Sequence, residues 1–234
     1  MKGKISNMPS SEEDIEKIIL EGKLDSFILG KNEFLTDHPG TDYSRWRQLG
    51  RYYKSLSADT PAKEIVDNTI IDLYKEPDES TKLVAIILGR ILRLSFFRQI
   101  IVDTIINSDI LKYGKSLQDE LLFSATSMQL PEVSIIVVRR FIVENRLGEY
   151  LMASSTPPYE DHVGEDDIWR VSVLEQLYNS ADTSMQASIR SQLEMVANYS
   201  KRFRLIIVKF LSMPKTKNVF YQTLENILTT NNHK

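Results

Sequence analysis

The chain has 234 residues, of which 42% are apolar, and its 29 basic and 32 acidic side chains give a net charge of −3. That apolar content suffices for a buried core, and the lack of a basic excess argues against a dedicated nucleic-acid binder. Cysteine is absent, which excludes disulfide frameworks, thiolate zinc sites and cysteine nucleophiles. We find neither a secretory leader nor an apolar run of roughly 20 residues, so we expect a soluble, cytoplasmic protein.

The N-terminal part of the chain predicts a capping element. Residues 1–9 are expected to form a flexible tail, and the polar segment 10–14 is a typical helix start because it joins serine hydroxyls to carboxylates. The apolar pattern that follows runs to Gly30 with a break near Gly22. It predicts one helix, or two short ones, at one end of the molecule.

Two further helices are predicted between the turn signal His38-Pro39-Gly40 and Pro77. Asp42 is a candidate N-cap for the first helix, and Pro61 occupies the first turn of the second. The first helix carries Trp46, Leu49, Tyr52 and Tyr53, and the second is expected to turn Ile65, Val66, Ile70, Ile71 and Leu73 inward.

The stretch 80–148 contains an internal repeat. Two apolar segments, 82–94 and 96–113, end at Gly114, and two more, 117–130 and 131–147, end at Gly148. The two glycines lie 34 residues apart, which is the period of a two-helix repeat. On the leading helix, Gly89 would let a neighbouring helix approach closely, and the residues expected to share one face are Val84, Ile87, Leu88, Ile91 and Leu94.

Residues 150–167 interrupt this repeat. The segment contains prolines and small hydroxyl residues, and no lysine or arginine lies between Arg146 and Arg170. Loops of this length in a compact domain are usually functional or disordered. We therefore predict an inserted acidic loop, whose charged residues are Glu160, Asp161, Glu165, Asp166 and Asp167.

The helical pattern resumes after the loop. Asp166 or Asp167 is the expected N-cap of a helix with Trp169, Asp182 or Thr183 caps the next, and Pro214 divides the last pair. The sequence thus predicts a single all-α domain over residues 1–234, an α-solenoid of about five helical hairpins with an N-terminal capping helix. The leading helices are expected to open near Asp42, Ser80, Ser116, Asp166 and Ser200.

A second structural interpretation concerns the β-branched runs 135–138 and 205–208. Branched residues favour strands, and these runs could belong to the sheet of an α/β fold. Their flanks favour helices, because Pro131-Glu132 is a typical helix opening and no glycine-rich turns bound strand-sized pieces.

Paired helices of this length, with a branched second helix that ends in Val138-Arg139-Arg140, resemble the HEAT and armadillo class of repeats. The resemblance covers residues 42–230, although the proline and aspartate typical of a HEAT unit recur only in part, as Pro131 and Asp103. It implies stacked helices with a concave binding surface, and it implies no activity.

Motifs for catalysis or metal binding are weak. Gly114-Lys115-Ser116 resembles the end of a phosphate loop, but Asp109 stands where that loop needs a glycine. The acidic loop and His162 could gather a divalent cation, although a solvated loop followed by an N-cap explains these residues without one. We therefore expect no cofactor, no metal and no catalytic residue.

Aromatic and basic residues supply further candidates for binding. Trp46 and Trp169 could each anchor a partner, and core packing is the more common role for Trp46. The basic residues could form a stripe along a solenoid, whereas solvated helix faces with intramolecular partners explain them more simply. These residues are Arg90, Arg93, Arg98, Arg139, Arg140, Arg190, Arg202, Arg204 and Lys209.

Small helical proteins that lack catalytic motifs and carry a concentrated acidic segment are similar to bacterial immunity proteins, which neutralise a toxin domain. The similarity implies a non-enzymatic, protein-binding role toward a partner such as a basic toxin. The acidic residues Glu160, Asp161, Glu165, Asp166 and Asp167 would steer the encounter, and Tyr159 and Trp169 would anchor it.

An enzymatic alternative comes from HEAT-like DNA glycosylases that excise alkylated bases, which this chain resembles in length and expected fold. Such enzymes place a carboxylate, an arginine and tryptophans on a basic concave face. The nearest equivalents in this chain would be Asp103, Trp169 and either Arg139 or Arg140. The acidic pI near 5.7 and the presence of only two tryptophans argue against this function.

Overall fold

The computed structural model describes residues 12–34, 41–153, 163–214 and 217–231. Over these ranges the chain forms thirteen α-helices, two short 3-10 helices and no strand. The all-α prediction is therefore confirmed. The strand interpretation of residues 135–138 and 205–208 is wrong, because both runs lie inside helices. No helix in the described ranges is long and apolar enough to cross a bilayer.

The described ranges contain helices of two kinds. The two 3-10 helices are Asn32–Phe34 and Asp109–Lys112. The α-helices are α1 (Glu12–Leu20), α2 (Leu24–Leu29), α3 (Thr41–Ser55), α4 (Pro61–Lys75), α5 (Glu79–Leu92), α6 (Ser95–Ile106), α7 (Lys115–Ser127), α8 (Ser134–Val143), α9 (Leu147–Met152), α10 (Glu165–Ser180), α11 (Thr183–Tyr199), α12 (Lys201–Leu211) and α13 (Val219–Asn231).

The predicted starts of the leading helices are confirmed to within one residue. Helices α3, α5, α7, α10 and α12 begin at residues 41, 79, 115, 165 and 201. Local capping explains this agreement, since Asp78 accepts a hydrogen bond from the Thr81 amide at 2.8 Å and Ser200 accepts one from Phe203 at 3.0 Å. The break at Gly22 is also confirmed, because this residue has a φ of 66°, in the left-handed region that suits glycine.

The predicted end at Gly148 is wrong. Helix α8 ends at Val143, and the chain turns through Asn145, whose φ of 57° is one that asparagine tolerates better than most residues. Gly148 lies inside α9, where an added Cβ would meet the Val196 side chain at 3.2 Å. A glycine that allows close packing was thus mistaken for a helix terminator.

The chain divides into two compact units. One comprises residues 1–100 and 110–124, and the other comprises 101–109 and 125–234, so α6 and α7 contribute residues to both. In the first unit α5 packs against α3 and α4, and α1 and α2 pack on the same two helices. In the second unit α10 and α11 are central: α10 packs on α8, α9 and α12, and α11 packs on α9, α12 and α13.

The buried face of α5 differs from the predicted one. Leu88 is buried as expected, and so is Leu94, which lies just beyond the end of the helix, but Val84, Ile87 and Ile91 are only half-buried. This helix is apolar on most sides, so the spacing of its apolar residues did not distinguish its core face. The predicted close approach at Gly89 is confirmed, because an added Cβ would lie 2.4 Å from the Phe97 ring. The buried residues of the helix are Ala85, Ile86, Leu88, Gly89 and Leu92.

Candidate functional site

The candidate site lies at the start of α10, in the second unit. Glu165 is exposed, and Asp166 and Trp169 are half-buried. Glu165 and Trp169 are four residues apart and therefore share one face of the helix. Of the other predicted contact residues, Tyr159, Glu160 and Asp161 lie outside the described residues.

Asp167 has a different environment from its acidic neighbours. It is only 2% exposed, and its Oδ1 accepts from Arg170 Nη2 at 2.6 Å. Its Oδ2 accepts from Arg202 Nη2 at 2.8 Å and from the Gly164 amide at 2.9 Å. A partner could not reach this carboxylate, so we leave Asp167 out of the contact site. It is not the N-cap either, since Gly164 holds that position.

The Asp167 cluster, which we define as Asp167, Arg170 and Arg202, buries two guanidinium groups against one carboxylate. Arg170 is 1% exposed and Arg202 is 8% exposed. Burial lowers the pKa of Arg170, and the nearby Asp167 opposes that shift. Burial also raises the pKa of Tyr150, whose hydroxyl lies 3.5 Å from the Arg170 carbonyl. Removing charges from water is costly, so the cluster depends on the single carboxylate that pairs with both arginines.

Two further contacts hold the start of α10 in place. Gln129 donates from its carboxamide to Asp166 Oδ1, and Lys209 Nζ donates to the Val163 carbonyl at 2.8 Å. Arg202 and Lys209 are seven residues apart on α12 and so share one of its faces. Helix α12 therefore holds the start of α10 through two contacts, the buried pair of Arg202 with Asp167 and the bond from the exposed Lys209 to Val163.

Most of the basic residues considered for a stripe have intramolecular partners. Arg90 pairs with Glu120 at 3.0 Å, Arg140 pairs with Glu144 at 2.9 Å, and Arg204 donates to the Ala197 carbonyl at 2.5 Å. Arg202 and Lys209 are held as described above. These contacts favour the simpler explanation of the basic residues over a continuous binding stripe.

The remaining candidates have the following environments. Trp46 Nε1 donates to the Ile28 carbonyl at 3.0 Å, which gives this half-buried side chain a structural role. Gly114 directly precedes α7, and its amide donates to Glu79 Oε2 at 2.9 Å, so the segment is a helix start and not a phosphate loop. Asp103 and Arg139 are exposed. Within the described ranges no group of three carboxylates or histidines is placed to hold a metal ion.

Sequence reasoning missed the pairing of Arg170 and Arg202 with Asp167. Arg170 follows Asp167 by three residues, a spacing that brings opposite charges together on a helix and could have been noticed. Arg202 lies 35 residues further along the chain and shows no local signal of its pairing.

A comparison of the chain with protein-family models, with curated proteins and with solved structures found no match.

Proposed function

We propose that this chain is a non-enzymatic protein-binding module whose contact site is Glu165, Asp166 and Trp169 at the start of α10. The observation that carries the proposal is the half-buried Trp169, which shares a helix face with the exposed Glu165. Aromatic side chains of this kind are common anchors in protein interfaces, and exposed carboxylates steer basic partners toward them.

The Asp167 cluster supports this role by fixing the backbone that carries the site. The ion pair of Asp167 with Arg202 at 2.8 Å holds the first turn of α10 against α12, and its pair with Arg170 at 2.6 Å lies within α10. A site that is ordered before binding loses less conformational entropy on association. Tyr159, Glu160 and Asp161 stay predicted contact residues on the sequence alone.

The partner is proposed to be a protein with a basic surface, such as a toxin domain that this chain neutralises. Charge complementarity supports that choice, because two carboxylates, Glu165 and Asp166, are adjacent at the start of α10. Lys209 is bound to a backbone carbonyl, and Asp167 is paired within the protein. The α-solenoid of about five hairpins remains part of the proposal, supported by the starts of the leading helices, because α5 begins 38 residues after α3, α7 begins 36 after α5, and α12 begins 36 after α10.

A capture experiment tests the proposal. Immobilised wild-type chain is compared with the E165Q/D166N/W169A variant on a lysate of the native host, and bound proteins are identified by mass spectrometry. The matched control is E13Q/E16Q, which removes two exposed carboxylates from α1. We expect a basic protein that the wild type and the control retain and the site variant loses.

The neutralising role is tested with the captured protein itself. Expressed alone it should arrest growth, and co-expression with the wild-type chain should restore growth while the site variant should not. Equal capture by all three chains would contradict the proposed site, and a harmless partner would contradict the toxin assignment.

A further inference from the structure

A pocket of about 360 Å³ lies between α11 and α13 in the second unit, and the proposed function does not use it. Its floor contains the buried Thr223 and Ile227. Its walls are exposed polar side chains: Arg190, Glu194, Asn198, Asn226 and Thr230.

Helical spacing explains why these side chains line one pocket. Along α11 the lining residues recur every four positions, at Arg190, Glu194 and Asn198. Along α13 the spacing is four and then three positions, at Thr223, Ile227 and Thr230. Residues at these intervals lie on one face of a helix. Each helix therefore contributes two turns of its surface to the pocket.

Tyr178 is fully buried and contacts two of the residues that line the pocket. Its hydroxyl lies 3.1 Å from Thr223 Oγ1 and accepts from Arg190 Nη2 at 3.5 Å. Thr223 Oγ1 also donates to the Val219 carbonyl at 3.0 Å. These contacts place the Arg190 guanidinium at the pocket wall next to buried hydroxyl groups.

The pocket contains one positive and one negative side chain that do not neutralise each other by direct contact. The hydrogen bond to the Tyr178 hydroxyl raises the pKa of Arg190, and Glu194 adds a smaller increase. Yet Arg190 and Glu194 form no ion pair within the described part of the chain. Their backbone positions are separated by four residues, a rise of about 6 Å along the helix.

The carboxamides of Asn198 and Asn226 complete the polar lining. Each offers one acceptor oxygen and two donor hydrogens, which match the C=O and N–H of a peptide group. Neither carboxamide has a hydrogen-bond partner among the described residues. The pocket thus offers separate partners for a carboxylate, an amine and an amide.

We propose that this pocket binds a small zwitterionic ligand of dipeptide size. Its carboxylate binds Arg190 and its ammonium group binds Glu194, since these two side chains line the pocket one helical turn apart and form no ion pair with each other in the described part of the chain. The asparagine carboxamides bind the peptide group between these ends. A pocket of about 360 Å³ also leaves room for the side chains of such a ligand.

Titration of the isotope-labelled full chain with alanyl-alanine, followed by amide chemical shifts, tests this assignment. N-acetyl-alanyl-alanine lacks the ammonium charge, and alanyl-alanine amide lacks the carboxylate. We expect saturable shifts at α11 and α13 with the zwitterion, and affinity at least about tenfold weaker for either blocked form, because a charge-assisted hydrogen bond is lost.

Variants locate the two charges. R190Q should weaken binding of alanyl-alanine at least about tenfold and leave the affinity for alanyl-alanine amide nearly unchanged. E194Q should also weaken binding of alanyl-alanine at least about tenfold, and it should leave the affinity for N-acetyl-alanyl-alanine nearly unchanged. The control R139Q removes an exposed arginine from α8 and should bind like the wild type. E165Q/D166N should also bind normally, so the outcome is independent of the partner-binding proposal.

The assignment is overturned if alanyl-alanine causes no saturable shifts at α11 and α13 at a concentration of about 50 mM, well above the weak range expected of so small a ligand. Equal affinity for all three probes, or normal binding by R190Q and E194Q, would overturn it as well. Circular dichroism of each variant verifies that the fold is retained.

Discussion

Asp167 shows how one side chain can look like a surface residue in the sequence and be structural in the fold. It stands in a run of acidic residues, yet it is 2% exposed and pairs with two buried arginines. The other acidic residues described in this run, Glu165 and Asp166, are exposed and half-buried. At the residue scale, the role of each carboxylate therefore depends on whether it is paired with a buried arginine.

Replacement of Asp167 by asparagine should strongly destabilise the protein. Arg170 and Arg202 would remain buried without a compensating charge, and loss of one partner from a buried pair costs about 3–5 kcal/mol. Urea denaturation of D167N measures the loss. E165Q, which changes the neighbouring exposed carboxylate, should stay within about 0.5 kcal/mol of the wild type. A D167N variant as stable as E165Q would contradict this account of the cluster.

Asp78 is an exposed carboxylate with a structural function of another kind. Hydrogen bonds from Ser80 and then from Thr81 lower its pKa to about 2. Because the folded-state pKa lies below the usual 3.8, this group stabilises the fold above about pH 4, and its contribution is lost as the pH falls toward 2. An NMR titration of the Asp78 carboxyl carbon measures the midpoint.

A neutral cap provides the control for Asp78. In D78S the N-cap is retained without the titrating group, so unfolding free energy should depend less on pH between about 4 and 2. A midpoint near the ordinary aspartate value, or an unchanged pH dependence in D78S, would show that these hydrogen bonds do not stabilise the carboxylate.

At the scale of elements, the contact between α5 and α6 depends on the missing side chain of Gly89. An added Cβ would lie 2.4 Å from Cγ of Phe97, whose ring is fully buried. The ring also makes an edge contact with Tyr74, with centroids 5.6 Å apart. Phe97 is therefore held from two sides and has little room to move.

Gly89→Ala should destabilise the first unit although alanine is the better helix former. Overpacking costs about 1–3 kcal/mol, which outweighs a helix-propensity gain of about 1 kcal/mol in most of that range. Chemical denaturation of G89A, F97A and the double variant measures the coupling. The penalty of G89A should shrink when Ala, which lacks Cγ and the ring, replaces Phe97, and equal penalties in both backgrounds would rule out the ring as its cause.

Helices α8, α9 and α11 are joined by one buried side chain, Gln192. Its Nε2 donates to the Ile142 carbonyl at 2.9 Å, and its Oε1 accepts from the Leu147 amide at 3.1 Å. The carboxamide therefore satisfies backbone groups at the end of α8 and at the start of α9. This bridge takes the place of the continuous helix that the sequence predicted up to Leu147.

Gln192→Leu should cost about 1–3 kcal/mol, because the buried Leu147 amide loses its partner, whereas the Ile142 carbonyl keeps its hydrogen bond from the Asn145 amide at 3.0 Å. Native-state hydrogen exchange of the Leu147 amide should also accelerate in this variant. Ser188→Ala is the control, since it removes only the 3.3 Å contact between Ser188 Oγ and Gln192 Nε2. Similar stability of Q192L and S188A would show that the bridge contributes little.

At the scale of the whole molecule, the proposed function predicts a specific kinetic effect of charge. Neutralisation of the exposed Glu165 and half-buried Asp166 should slow association with a basic partner and flatten its dependence on salt, while dissociation changes less. Stopped-flow mixing of E165Q/D166N with the captured partner across a salt series measures both rates. An association rate equal to that of E13Q/E16Q would remove these carboxylates from the encounter.

The sequence by itself determined the all-α class, the break at Gly22 and the starts of the leading helices near residues 41, 79, 115, 165 and 201. These features follow from capping groups and apolar spacing within a few residues, so a local pattern is enough. The position of Trp169 near the start of a helix was predictable for the same reason.

Only the tertiary structure decided which face of α5 is buried, what Gly148 packs against and which cations pair with Asp167. Arg202 lies 35 residues from its carboxylate, and Gln192 lies 50 residues from the Ile142 carbonyl that it binds. Such contacts depend on how distant helices meet. The periodicity of a single segment carries no information about its distant neighbours, and the burial that fixes the role of a charged residue exists only after they pack.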